Sequence, residues 1–150
     1  MANVFDVANY ILLQQDEDAG DTISNLKLQK LVYYCQGFTL AITGTPLFPE
    51  SIQAWEHGPV VEPLYHQYKE FKSSAIPMPD IDEDEVKSKF SDAQIEIINE
   101  VCDVYGQYSA WKLRNFTHDE EPWINRYGKN LNTISHDELT VFFKQLLITD

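Results

Sequence analysis

The stretch "NLKLQKLVYYCQGFTLAITG", residues 25–44, places apolar side chains on nearly every face of a helix. Leu28, Leu31, Val32, Cys35, Phe38 and Ile42 recur at helical spacing as one stripe, and Leu26, Tyr33, Tyr34, Leu40 and Ala41 extend the apolar cover beyond it. A helix apolar all round is stable only when other elements surround it, so the rest of the chain is expected to wrap around this one. Ser24 or Asn25 is placed to cap its start, and Gly44 to end it. Gly37, inside it, costs about 1 kcal/mol in helix propensity relative to Ala. A close approach by another backbone is the expected reason for that glycine. Gln29 and Lys30 interrupt the apolar surface. A buried lysine is tolerable only when paired. Glu121, Glu56 or the surroundings of His57 are the expected sources of its partner.

The flanking segments supply the wrapping. Val4, Val7, Ala8, Ile11 and Leu12 make an amphipathic helix, stopped by "QQDEDAGD" with Gly20 as the break. Two prolines in "TPLFPESIQAWEHGPVV" deny a long helix there. Leu47 and Phe48 are expected to pair with residues 52–56 as a small hairpin. Gly58 and Pro59 would then turn the chain from strand into helix, with Pro63 in the first turn and Val60, Leu64, Tyr68 and Phe71 on one face. Residues 72–90 read as a Pro-rich, acidic, exposed connection, in which "DIDEDE" is a solvated loop. Ser91 and Gln94 form a capping box for "DAQIEIINEVCDVYG", ended by Gly106; Ser109 caps "AWKLRNFT". Thr117 and Glu120 fit another box, before a short helix from Glu121 and Pro122 to Tyr127, closed by Gly128. Ser135 and Glu138 form a further box before "LTVFFKQLL". The expected fold class is mainly α: one helical domain over residues 1–150, with about six or seven helices and a small β-hairpin insertion.

Composition excludes several functions. The chain has 24 acidic and 11 basic residues, a formal charge of −13, and sequence-independent grip on nucleic acid needs clustered Lys and Arg. No nucleic-acid partner is expected; the charge instead favours solubility and could steer a basic partner. No apolar run approaches ~18 residues, so no membrane span is expected. No basic region precedes the first apolar stretch, so a cytoplasmic location is expected. Cys35 and Cys102 lie far apart in apolar helical contexts and read as buried free thiols. His57, His66, His118 and His136 show neither HExxH nor an i, i+4 pair, so no metal is expected. No nucleophile carries a local signature and no glycine loop could cradle a phosphate. The chain is expected to be no enzyme, with no catalytic residue and no cofactor.

The segment "AWEHGPVVEPLY", residues 54–65, has two readings. It is an architectural corner made by turn chemistry, or an aromatic-rimmed patch for a partner, since Trp and Tyr anchor interfaces. Trp55, Tyr65, Trp111 and Trp123 are available for either role.

Three blocks arrive in order: "LKLQKLVYYCQGF" (residues 26–38), "GTPLFPESIQAWEHGPVV" (44–61) and "YGQYSAWKLRNFTHDEEPW" (105–123). Together, over roughly residues 4–127, the chain resembles the Panacea domain, the SocA-like antitoxin and phage-associated (GepA-like) family. The residues that carry the resemblance are Leu28, Gln29, Lys30, Leu31, Tyr34, Trp55, Gly58, Pro59, Trp111, Thr117, His118, Glu121, Pro122 and Trp123. Cys35 stands where a small alanine-like residue is expected. The resemblance implies a mainly helical domain with a small β element and no enzymatic activity. It implies the antitoxin of a two-gene toxin–antitoxin pair, which binds a cognate protein toxin encoded by an adjacent gene. In one branch the domain is an adaptor that delivers its toxin to a cytoplasmic ATP-dependent protease. The alternative reading is a phage- or prophage-associated interaction protein or protease adaptor with no toxin partner. Lys30, Tyr34, Trp55, His57, Gly58, Pro59, Tyr65, Trp111, Thr117, His118, Glu121, Pro122 and Trp123 are the candidate partner-binding or motif residues. The helix bearing Lys30, the "WEHGPV" turn and the "THDEEPW" segment are expected to converge on one polar cluster.

Overall fold

The computed structural model describes residues 1–16 and 22–149; the expected break at Gly20 lies outside the described residues. In chain order its elements are α1 (Val4–Leu12), α2 (Asn25–Thr43), β1 (Ile52–Trp55), β2 (Gly58–Val60), α3 (Glu62–Tyr68), a 3-10 turn (Lys69–Phe71), α4 (Glu83–Lys87), α5 (Asp92–Tyr105), α6 (Ala110–His118), α7 (Glu121–Ile124), β3 (Thr133–Ile134) and α8 (His136–Thr149). The fold is mainly helical, as the periodicity predicts. Helix α2 is its axis, with α1, α3, α5, α6, α8 and β2 packed on it. Tyr33, Tyr34 and Cys35 are fully buried, and the apolar side chains form one contiguous core. The C-terminal end of the expected stripe departs from this: Ile42 is more than half exposed.

Local chemistry explains where the helices begin and end. Ser24 caps α2 by accepting from the Lys27 N–H, and Gly44 closes it at φ +78°. Both reciprocal bonds of the capping box exist at Ser91 and Gln94, and again at Ser135 and Glu138. Ser109 caps α6. Asn3 and Asp6 form a further box before α1.

Three buried glutamines tie connecting segments to these helices. Gln36 accepts from the N–H groups of Leu47 and Phe48 and donates to the Phe48 carbonyl. Gln29 accepts from the Val61 N–H while donating to Asn25. Gln15 accepts from Ile23 and donates to the carbonyls of Leu12 and Ile76. Each amide satisfies backbone groups that would otherwise be buried without partners.

Several sequence expectations are corrected. The hairpin is β1 with β2, in antiparallel register with Gln53 opposite Val60 and Trp55 opposite Gly58; β3 adds to the other edge of β1, with Ile52 opposite Ile134. Leu47 and Phe48 are held by Gln36 instead of a strand. Gly58 and Pro59 therefore lie inside β2; the reversal is at Glu56 and His57, and the next helix begins only at Glu62. Val60 belongs to the sheet and not to the α3 face. The acids of residues 80–85 are solvated, but not as a loop: Asp82 caps α4, which buries Val86. That helix takes the number of α-helices to eight among the described residues. Gly37 is required by a side chain, not a backbone, because a Cβ there would collide with the Phe143 ring. Cys35 is a buried free thiol, as expected, but Cys102 is only half-buried.

Candidate functional site

The three sequence blocks do meet. Lys30 is fully buried on α2, and its Nζ donates to the Pro59 carbonyl at 3.0 Å. A Cβ on Gly58 would sit 2.6 Å from Lys30 Cε and 2.8 Å from Thr117 Oγ1. Gly58 has φ +113°, a region that only glycine adopts readily. Thr117, buried in the last turn of α6, donates to the Arg114 carbonyl. Residues 30, 58, 59 and 117 therefore form a seam in which α2, β2 and α6 touch through a lysine stem, a glycine and a hydroxyl. The partner of Lys30 is the backbone carbonyl of Pro59, two residues from His57, so the expected His57 surroundings supply it, and the carboxylates of Glu56 and Glu121 do not. Burial, then the charge of Arg114, brings the Lys30 amine down to about 7.

The acid that enters the interior is Glu120, so the expected capping box of Thr117 and Glu120 does not form. Thr117 belongs to α6, and Glu120 precedes α7 without a side-chain cap bond. Its carboxylate accepts from Tyr33 at one oxygen and Tyr34 at the other, both at 2.9 Å. Burial pulls the Glu120 carboxyl up to about 7, against the two phenols that hold it charged. Burial and the nearby carboxylate push both tyrosines well above their ordinary range. Tyr34 also stacks on Tyr105, with ring centres 4.0 Å apart.

A half-buried aromatic layer lies over the hairpin. Trp123 Nε1 donates to the Trp55 carbonyl at 2.7 Å. Its ring stacks on His118 at 3.9 Å and on Tyr127 at 4.7 Å. Trp55 meets Tyr65 edge-on at 5.1 Å. Among the described residues His118 Nε2 is buried without a hydrogen-bond partner, and burial followed by Arg114 holds the imidazole below its usual range. Pro122 is buried at the start of α7. Glu121 is exposed and joins none of these groups.

Outside this layer lies a third group. His57, at the tip of the hairpin, and Trp111, 56% exposed on α6, are ring neighbours at 6.0 Å. Arg114 lies over the Trp111 ring at 4.3 Å, and its Nε donates to His57 Nδ1 at 3.1 Å. Arg114 and Glu120 are the two residues that reading the sequence missed. The first had a signal, since residues three apart on a helix are neighbours. The second is one of two adjacent glutamates, and only packing separates them.

The geometry explains why the blocks belong together. In "LQK", Lys30 bonds to β2 and Gln29 to Val61 just after it; "GPV" is β2 itself; and in "FTHDEEPW" Thr117 packs on Gly58, Trp123 bonds to Trp55 of β1, and Glu120 bonds to Tyr33 and Tyr34 of α2. The family described as "Antitoxin SocA-like, Panacea domain" matches residues 28–124, somewhat less at each end than the resemblance suggested. The chain belongs to this antitoxin-like family. No curated protein and no solved structure matches it. Among the described residues, no helix is long and apolar enough to cross a membrane.

Proposed function

We propose that the chain is the antitoxin of a toxin–antitoxin pair, acting in the cytoplasm by binding a protein toxin directly and without catalysis. Family membership supports the antitoxin role. The observation that carries the binding mode is the exposed cluster of His57, Trp111 and Arg114 above a seam of buried motif residues. Trp and Arg are the side chains over-represented where interfaces concentrate their energy. Here the guanidinium is already stacked on the indole and bonded to His57, so less side-chain freedom is lost on binding. The buried seam fixes the cluster, because Thr117 lies one turn beyond Arg114 and Gly58 directly follows His57.

Two reactive side chains are withdrawn from solvent, which supports a non-catalytic action. Lys30 and Cys35 are sealed in the core, and burial raises the Cys35 thiol well above its usual range, which makes it inert. The test is a growth assay in bacteria. The neighbouring gene is expressed with and without this protein, and the pair is then co-purified. Killing by the neighbour, rescue by this chain and a stable complex are the expected results. A neighbour that is harmless alone, or rescue without a complex, would contradict the proposal.

A further inference from the structure

A second surface is built quite differently from the His57 cluster. Helices α2, α5 and α8 enclose a groove of about 470 Å³. Its floor is Ile97 and Val101, flanked by Phe38 and Tyr105. Ile42, Val104 and Leu147 stand on its rim, 54%, 40% and 41% exposed. Glu96 and Glu100, one turn apart on α5, line the same groove. Among the described residues neither glutamate is in an ion pair. The α5 residues that line the groove run from Ala93 to Tyr105, a length of roughly 18 Å, or three helical turns.

A water-exposed apolar trough of that length fits the apolar face of a helix, read out as anchors at i, i+3 or i+4, and i+7. The two carboxylates select the flank of that helix: a cation there is attracted, an anion repelled. They also disfavour a second copy of this chain, which carries 24 acidic residues against 11 basic. We propose that this groove docks an amphipathic helix of about three turns with Lys or Arg along one flank, contributed by the protein partner. The inference rests on the toxin-binding reading only for the source of that helix.

The test uses the full chain and defined peptides. A fluorescent amphipathic peptide of about 14 residues, leucine on one face and lysine on one flank, is titrated against the protein. A second peptide carries glutamate in place of lysine. The lysine peptide should bind at least about tenfold more tightly. Ile42→Asp and Val104→Asp, both at exposed positions, should each weaken it about tenfold or more, and the Glu96→Lys, Glu100→Lys double variant should invert the preference. Equal binding of the two peptides, or binding indifferent to Ile42→Asp and Val104→Asp, would overturn the proposal. So would self-association that Val104→Asp abolishes, because the groove would then belong to a second copy. Growth rescue plays no part in this assay, so either proposal can fail while the other stands.

Discussion

Lys30 and Glu120 are ionisable groups of opposite kind drawn to about the same value by burial. Their consequences for stability run in opposite directions. The folded Glu120 keeps a proton up to about 7, whereas the unfolded side chain loses it near 4.5. Its contribution is therefore present at low pH and lost as the pH rises to about 7. The unfolded Lys30 stays protonated up to about 10.5, whereas the folded one releases its proton near 7, so Lys30 makes stability rise with pH above about 7, until the buried Cys35 thiol and the Tyr33 and Tyr34 phenols oppose it above about 9. Urea midpoints measured across this range should show both limbs. Glu120→Gln should remove only the acidic limb and Lys30→Met only the alkaline one; a limb that survives its variant would refute the assignment. Gly58 gives a sharper test. Gly58→Ala adds a Cβ that meets Lys30 and Thr117 at a φ that alanine tolerates poorly, so a loss of about 2 kcal/mol or more is expected from thermal melts. A loss below about 0.5 kcal/mol would mean that the seam is loosely packed.

The helices were legible because their signals are local. Ser91 with Gln94, Ser135 with Glu138, Ser109 and Gly44 act within one turn of their own helix, and each is where the residue pattern places it. The hairpin was less legible because strand pairing is settled by distant groups. Leu47 and Phe48 look like a strand, but Gln36 takes their N–H groups first. The two-residue β3 forms only because the chain returns beside Ile52 after α7. The convergence of Lys30 with the "WEHGPV" segment was legible, since a lysine in an apolar helix needs an acceptor. That the acceptor is Pro59 O was not, because every backbone carbonyl looks alike in a sequence. The glutamine ties give a test of this packing. Gln36→Ala leaves two N–H groups and a carbonyl near Leu47 and Phe48 without partners, which costs about 1–3 kcal/mol. The urea midpoint should fall with little change in the slope; an unchanged midpoint would show that this loop is satisfied some other way.

In the whole molecule, the family's motif residues divide into those that build and those that are free to bind. Lys30, Gly58, Pro59, Thr117, Tyr34 and Pro122 are enclosed, and Trp55 and Trp123 are committed to each other through the indole bond. Trp111 remains largely free, with Arg114 and His57 around it. The charge of −13 adds a long-range component, so association with a basic toxin should slow as salt is raised. The decisive measurement is the affinity of the purified toxin for Trp111→Ala, beside the thermal melt of the same variant. Trp111 is 56% exposed, so the melt should stay within about 0.5 kcal/mol of the parent. Affinity should fall by about 2 kcal/mol, roughly thirtyfold. Toxin binding at full strength by a normally folded Trp111→Ala protein would contradict the assignment of this surface.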